Sequence, residues 1–272
     1  MREEAPSGWL EWLEGRAEGA GRVASAVEQR ARLKPGERVA DLGAGTGLLT
    51  LMAAKSVGAK GLVYAVDSDE ACLRRLSTEA DDLGLHNIQN VIADIRDVPL
   101  EKGELDAVLA RSALIYTGDL LACALEIARL IGSTGRFSVC EPLPGELTWW
   151  GRDAPLVAEL NDVEQALAKD RAAVSPVRDD VRRAFSRANL DFFSLVVTYR
   201  LDFTGGEPAA VESDYLYDMP GDLSLSSTLR SAGSYDDDYI AALAGRLAGA
   251  AFSGEVKASL PCIYLWGSGT ES

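Results

Sequence analysis

The sequence predicts an α/β fold, doubly wound around a mostly parallel, seven-stranded sheet, with helical and loop insertions forming a lid. Three observations carry this. Short apolar runs alternate with helical stretches from residue 38 to residue 140, a rhythm that puts helices on both faces of parallel strands. A glycine-rich segment, Asp41-Leu42-Gly43-Ala44-Gly45-Thr46-Gly47, stands where the first strand gives way to a helix. After Glu141 the alternation stops, and two long excursions separate the last strands.

Each element follows from its local pattern. Trp9 to Leu33 has helical spacing, with Val23, Ala26, Val27 and Ala31 at i, i+3 and i+4, and Lys34-Pro35-Gly36-Glu37 ends it. Arg38 to Leu42 reads as a strand and Thr46 to Ser56 as the helix after the glycines. Gly61 to Val66 is the second strand; Asp69 to Leu83 is a helix whose acidic start suits the helix dipole. Asn90 to Ala93 and Leu105 to Ala110 are strands, Asp119 to Ile131 a helix, and Gly135 to Cys140 the fifth strand. Pro142 to Asn189 reads as mostly helical. Phe192 to Tyr199 is a strand, Asp236 to Ala251 a helix opened by Asp236-Asp237-Asp238, and Leu260 to Trp266 the last strand.

These elements group into four segments. Residues 1–34 form an N-terminal helical segment covering the site, and 35–145 form the α/β core that carries the glycine loop. Residues 146–190 form a helical insertion over the substrate, and 191–272 hold the C-terminal strands, with a long insertion at about 204–257.

Composition narrows the function classes. The chain has 272 residues, of which 47% are hydrophobic, enough for a sizeable core. No apolar stretch approaches the ~20 residues of a membrane span, and the acidic Met1-Arg2-Glu3-Glu4 is no secretory signal. The expected compartment is the cytoplasm. A formal net charge of −15 disfavors a phosphate backbone or an anionic membrane surface as partner. Cys72, Cys123, Cys140 and Cys262 lack metal-type spacing, and the single histidine, His86, cannot anchor a His-based metal site. A small-molecule substrate and no metal are expected.

The run Val39-Ala40-Asp41-Leu42-Gly43-Ala44-Gly45-Thr46-Gly47 follows a strand and opens a helix. In these residues the chain resembles the class I S-adenosylmethionine-dependent methyltransferases, which are Rossmann-like in fold. Glycines at alternate positions let the backbone turn sharply and come close to a ligand. Asp41 can orient the turn and the ligand's ammonium group, with Gly43, Ala44, Gly45, Thr46 and Gly47 around it. A dinucleotide fingerprint, G-x-G-x-x-G/A, needs a small residue at its last position. That position is Leu48 counting from Gly43 and Thr50 counting from Gly45, so neither fits.

Two further acids stand at matching places. Asp67, followed by Ser68, ends the second strand about 20 residues beyond the glycines, where an acid can accept both ribose hydroxyls. The third strand is followed by Asp94-Ile95. The resemblance implies that this acid contacts the adenine amino group and that Ile95 packs on the ring. Taken singly, each acid could instead be a helix cap or turn residue. The resemblance covers roughly residues 30–145 with specific motifs, the final strands by pattern, and the excursions hardly at all. One departure is Gly132-Ser133-Thr134-Gly135 where a Pro-Gly-Gly-like turn is usual, and it lies away from the ligand. The Asn/Asp-Pro-Pro-Tyr/Phe run of exocyclic-amine methylating enzymes is replaced by Ala110-Arg111-Ser112-Ala113, which disfavors that chemistry.

Methyl transfer from a sulfonium releases a neutral leaving group, so positioning and desolvation dominate. His86 precedes the third strand, on the edge opposite the ligand. Any base is then a carboxylate, a tyrosine or the substrate's own acidity, and the candidate catalytic residues are Glu141 and Tyr116. Glu141, just past the fifth strand, is read as base or substrate ligand, with a turn acid as the competing reading. Tyr116 lies just past the fourth, with packing under the lid as the competing reading. Arg111 could hold the cofactor carboxylate or pair with a nearby acid. Trp9, Trp12, Tyr116, Trp149 and Trp150 are candidates for an aromatic or hydrophobic substrate, with lid-to-core packing the competing reading for each tryptophan. The expected function is S-adenosylmethionine-dependent methylation of a small molecule, possessing S-adenosylhomocysteine as product. The alternatives are a cofactor-binding relative that cyclizes or decarboxylates, a binding protein with a degenerate site, and an RNA methylase. A homo-oligomer is compatible with the long excursion between the last two strands.

Overall fold

The computed structural model describes residues 17–170, 176–201, 229–230, 233 and 235–270. In chain order these form α1 (Ala17–Ala31), β1 (Arg38–Leu42), α2 (Leu48–Val57), β2 (Leu62–Asp67) and α3 (Glu70–Asp82). Next come β3 (Ile88–Ile92), β4 (Ala107–Arg111), a 3₁₀ turn (Leu114–Thr117), α4 (Leu120–Ile131), β5 (Arg136–Pro142) and a second 3₁₀ turn (Pro144–Glu146). Then follow β6 (Thr148–Gly151), α5 (Ala154–Asp170), α6 (Arg178–Arg187), β7 (Leu190–Leu201), α7 (Asp237–Phe252) and β8 (Val256–Gly269). Trp9 and Trp12 lie outside the described residues.

Strands β3-β2-β1-β4-β5 are parallel, and β8 joins β5 antiparallel. This is the doubly wound α/β class read from the sequence, with eight strands rather than seven. The additional strand is β6, inside the stretch 142–189 that sequence pattern assigned to helix. Four residues are too few for alternation to register, and Trp149-Trp150 lacks a polar partner to reveal a period of two. The last strand is longer than its apolar center, starting at Val256 rather than Leu260, because two edges of neighboring strands pair with it.

Short side-chain caps fix several helix starts. Asp69 accepts from the N–H groups of Ala71 (2.8 Å) and Cys72 (3.3 Å), Asp119 from Ala122 (2.9 Å), and Asp236 from Tyr239 (2.7 Å). Alternation along β8 then divides the core. Ile263 and Leu265 join Phe137, Phe185 and α4 in one layer, while Cys262 and Tyr264 join α1 and α2 in the other. Phe137 and Phe185 meet with ring centroids 5.3 Å apart, which pins α6 to β5.

A separate apolar cluster joins the two excursions. Leu147 and Trp149 on or beside β6, Leu156, Leu160 and Val163 on α5, and Ile240, Leu243 and Leu247 on α7 pack with Val256 and Ala258. β6 pairs with Val256–Ser259 of β8, and β5 pairs with Cys262–Ser268, on the same edge and in the same direction. The cap therefore grows from the carboxyl end of β5, the end where parallel sheets place ligands. α1 runs the opposite way. The Arg136 side chain, at the start of β5, donates to the carbonyls of Ala31 and Arg32 at the end of α1. The first residue of α1 thus lies toward the carboxyl edge.

Leu247 is fully buried at the center of the cap cluster, whereas Phe193 on β7 is 71% exposed. Leu247→Ala is expected to lower the unfolding free energy by about 2–5 kcal/mol in urea titrations. Phe193→Ser, which loses an exposed stacking pair with Trp266, should lower it by only about 1 kcal/mol or less.

Candidate functional site

The glycine loop is stitched to the end of β2. Gly43 and Ala44 both donate to the Val66 carbonyl, at 2.8 and 3.0 Å, and Gly45 donates to Asp67 Oδ2 at 2.8 Å. Gly47 closes the turn on the Ala44 carbonyl at 2.9 Å. Backbone φ values of 74°, 53° and 98° at Gly43, Gly45 and Gly47 explain the residue choice. Packing adds a second reason that sequence reading attributed to ligand approach. A Cβ on Gly43 would stand 2.3 Å from Ala113 Cβ, and one on Gly47 would stand 2.1 Å from Leu76 Cδ1. At these two positions it is protein that takes up the missing volume. Ala44 is buried against Leu51, Leu73 and Leu76, and Thr46 is half-buried. No side chain caps α2 at Gly47, so its first-turn N–H groups and positive end face the loop.

The acids read from the sequence stand at the carboxyl ends of neighboring strands. Asp41 ends up inside, 2% exposed, and accepts from Thr50 Oγ1 at 2.6 Å. Burial pushes its carboxyl up to about 6, opposed by the Thr50 hydrogen bond and the Arg111 charge and reinforced by Asp67. Asp67 Oδ1 accepts from the Asp69 N–H at 2.9 Å while Oδ2 holds Gly45. Burial raises Asp67 as well, and those backbone hydrogen bonds resist it. Ser68 is exposed beside it.

Asp94 is held differently. Its two oxygens accept from the Arg96 backbone N–H (2.8 Å), Nε (3.0 Å) and Nη2 (2.6 Å), and these bonds keep its carboxyl below the usual range. Arg96 Nη1 also donates to the Thr117 carbonyl at 3.2 Å, tying the loop after β3 to the turn after β4. Ile95 is 8% exposed and belongs to the main core cluster, so most of its side chain already has protein partners.

Past β4 the chain makes an abrupt turn. Ser112 sits in the left-handed region at φ 52°, an uncommon state for a residue with a Cβ. Its N–H is bound to the Cys140 carbonyl at 2.8 Å. Glu141, which is fully buried, accepts from Ala113 and Leu114 N–H groups, both at 3.1 Å to Oε1, and from Ala113 at 3.2 Å to Oε2. The carboxylate read from sequence as base, substrate ligand or turn acid has both oxygens engaged by backbone N–H groups. Tyr116 is half-buried in the 3₁₀ turn that follows. Arg111 is half-buried at the end of β4, on the sheet face that carries Asp41. Both Asp41 and Glu141 attract it, yet among the described residues its guanidinium forms no hydrogen bond or ion pair.

The paired tryptophans do not face one pocket. They occupy a strand, and successive side chains on a strand point to opposite faces. Trp149 is 3% exposed inside the cap cluster, with Asn161 bonded to its backbone N–H (2.8 Å) and carbonyl (2.9 Å). Trp150 lies on the other face, donating from Nε1 to Ser259 Oγ at 2.9 Å, with Lys257 Nζ 6.0 Å from its ring. Sequence reading missed Thr50, Arg96 and Ser112. An acid two residues before an arginine, as in Asp94-Ile95-Arg96, was the one available signal. Among the described residues no group of three or more acids, histidines and cysteines is placed to hold a metal ion.

Two outcomes test this geometry. A buried carboxyl raised from 3.8 to about 6 opposes folding at neutral pH, because the ionized form is favored more in the unfolded chain. Stability linked to Asp41 is complete below pH 4 and is lost as pH rises through about 6, by an amount on the order of 3 kcal/mol. Asp41→Asn, which can still accept from Thr50, is expected to raise the urea midpoint at pH 8 and to leave it little changed at pH 4. Gly47→Ala is expected to cost about 1–3 kcal/mol in the same titration, because φ 98° and the Leu76 contact both disfavor a side chain.

A family model described as a methyltransferase domain matches residues 33–188, more than half of the chain. Nocamycin O-methyltransferase from Saccharothrix syringae is 32% identical over 111 residues, a stretch covering 41% of this chain and 40% of that protein. The chain thus matches less than half the length of that curated relative. Among solved structures, the YcgJ protein from Bacillus subtilis superimposes with a TM-score of 0.62 at 16% identity, covering 92% of this chain and 99% of that one. A geranyl diphosphate methyltransferase solved in complex with S-adenosylmethionine gives 0.55 at 16% identity, with 98% and 92% covered. These two likenesses concern the fold; together with the family match over β1 to α6, they identify the chain as a member of the methyltransferase domain family.

Proposed function

We propose that this protein transfers a methyl group from S-adenosylmethionine to a small-molecule acceptor of natural-product type. The observation that carries the reading is the order of side chains along the carboxyl edge. Asp94, Asp67, the glycine loop and Arg111 end the adjacent strands β3, β2, β1 and β4. That sequence of groups suits, in turn, an adenine amino group, ribose hydroxyls and an amino-acid moiety.

The donor and acceptor set fits the cofactor. Asp67 keeps lone pairs beyond its bonds to Gly45 and Asp69, so it can still accept hydroxyl protons. Arg111 brings guanidinium donors with no acceptor among the described residues, which suits a carboxylate. The uncapped start of α2 offers further N–H groups. The bound cofactor supplies an electrophilic methyl on a positively charged sulfur. The chain's part is to orient the acceptor, exclude water and leave no strong competing nucleophile nearby.

In this reading the cap beyond the carboxyl end of β5 encloses the acceptor, supported by its position at the end where parallel sheets bind ligands. Glu141 is a poor base, because its oxygens are spent on backbone N–H groups, and Tyr116 is the better candidate to touch substrate. The relative named for nocamycin and the structure named for geranyl diphosphate support a small-molecule acceptor. The charge of −15 weighs against RNA.

Calorimetry with S-adenosylmethionine and S-adenosylhomocysteine tests the reading. Both are expected to bind, and Asp67→Ala to weaken binding roughly 10- to 100-fold through lost charge-assisted hydrogen bonds. With an acceptor that receives the methyl group, S-adenosylhomocysteine should accumulate in step with substrate loss. Absence of binding by either molecule sinks the proposal, and substrate loss without S-adenosylhomocysteine would point to the non-methylating alternative.

A further inference from the structure

We propose that Glu141 is a positioning residue for the cofactor: its buried carboxylate holds the turn after β4, and that turn props the glycine loop at Gly43. This rests on the cofactor reading above. The line of contact is short. The left-handed backbone at Ser112, anchored by its N–H on the Cys140 carbonyl, turns the next N–H groups inward. Glu141 collects those of Ala113 and Leu114. Ala113 is thereby fixed with its Cβ in the space a Gly43 side chain would need, 2.3 Å from that Cβ position. Any shift of the turn moves the wall behind Gly43, the residue that with Ala44 joins the loop to β2.

The protonation state of Glu141 matters because every partner given by this turn is a donor. An ionized carboxylate accepts from all of them, whereas a protonated one gives up acceptor capacity and brings a proton among N–H groups. Burial pushes the Glu141 carboxyl up to about 7, against the backbone hydrogen bonds from Ala113, Leu114 and Ile115 and the attraction of Arg111. The ionizable groups facing it are Arg111 on β4, Cys123 on α4 and Cys140 on β5. Burial raises the Cys123 thiol to about 12, and a hydrogen bond from the Cys140 thiol to Cys262 together with burial raises Cys140. Both thiols are neutral near pH 7, which leaves Arg111 as the charged neighbor. The cofactor-competent turn favors ionized Glu141, so binding releases a proton near neutrality and affinity declines as pH falls through about 7.

The experiment is S-adenosylhomocysteine affinity of the full chain by calorimetry between about pH 6 and pH 8.5. Wild type is expected to lose about tenfold for each pH unit by which the two states' proton affinities differ. Glu141→Gln keeps the shape but cannot ionize. It should bind more weakly at pH 8 and lose the step near pH 7, while a step near 6 from Asp41 remains. Ala113→Gly keeps the carboxylate and removes the contact with Gly43; it should also weaken binding and flatten the step. A carboxylate that only stabilized the fold would lower the melting temperature in the Gln variant and leave the step in place. Tight wild-type binding with a flat profile overturns the inference, as does a step that survives in Glu141→Gln. Should that variant fail to fold, an Ala113→Gly profile identical to wild type overturns it instead. No wild-type binding at any pH takes down the cofactor reading itself, a result distinct from tight, pH-independent binding.

Discussion

The attachment of the glycine loop to the end of β2 organizes the rest of the molecule. One carbonyl, that of Val66, accepts two successive N–H groups, and one carboxylate, that of Asp67, accepts a third. Those three bonds require the left-handed turns at Gly43 and Gly45, and the turns in turn decide how α2 leaves the sheet. α2 then meets α3 where Gly47 has no side chain, so that Leu76 fills the gap. A single arrangement of backbone donors thus sets both the packing of two helices and the placement of the acids around the carboxyl edge. Local stability and the geometry of the proposed cofactor site draw on the same bonds, which is the usual coupling at preorganized sites.

Much of the core was legible in the sequence because its periodicities are strong. β1, β2 and β5 have near-continuous apolar runs, and Asp69, Asp119 and Asp236 mark helix starts with a side chain that accepts hydrogen bonds. Asp41, Asp67 and Asp94 were legible by position, and the structure brings them to one edge. Their immediate partners were not. Thr50 and Arg96 are ordinary residues in sequence and acquire meaning only when the turn places them beside an acid. The direction of Glu141 was equally hidden: position after β5 says that a carboxylate is near the site, while the strained backbone at Ser112 determines which donors reach it. In β6 the signal failed for a different reason. A strand of four residues exists because the long β8 offers it an edge, and no local pattern encodes that offer.

The two electrostatic neighborhoods of the site contrast. Asp94 is exposed and charge-paired, so its carboxylate stays ionized through the physiological range. Asp41 and Glu141 are enclosed, and their ionized forms are expensive. Arg111 lies between the two enclosed acids without contacting either closely. It offsets part of that expense at a distance and keeps its donors for something else. A ligand carboxylate arriving there would complete a set of charges that the protein alone leaves unbalanced.

β8 has one mechanical consequence. Its first residues belong to the cap and its last to the central sheet, and β7 runs alongside both, from Leu190 opposite Gly269 to Leu201 opposite Ala258. The cap is consequently a cantilever, continuous with the sheet through two unbroken strands, and has no hinge along that side. Swinging it as a rigid body would tear a ladder of interstrand hydrogen bonds. Any displacement of the cap is therefore felt along β7 and β8 as far as the central sheet, so the packing over the carboxyl edge and the register of the last strands move together.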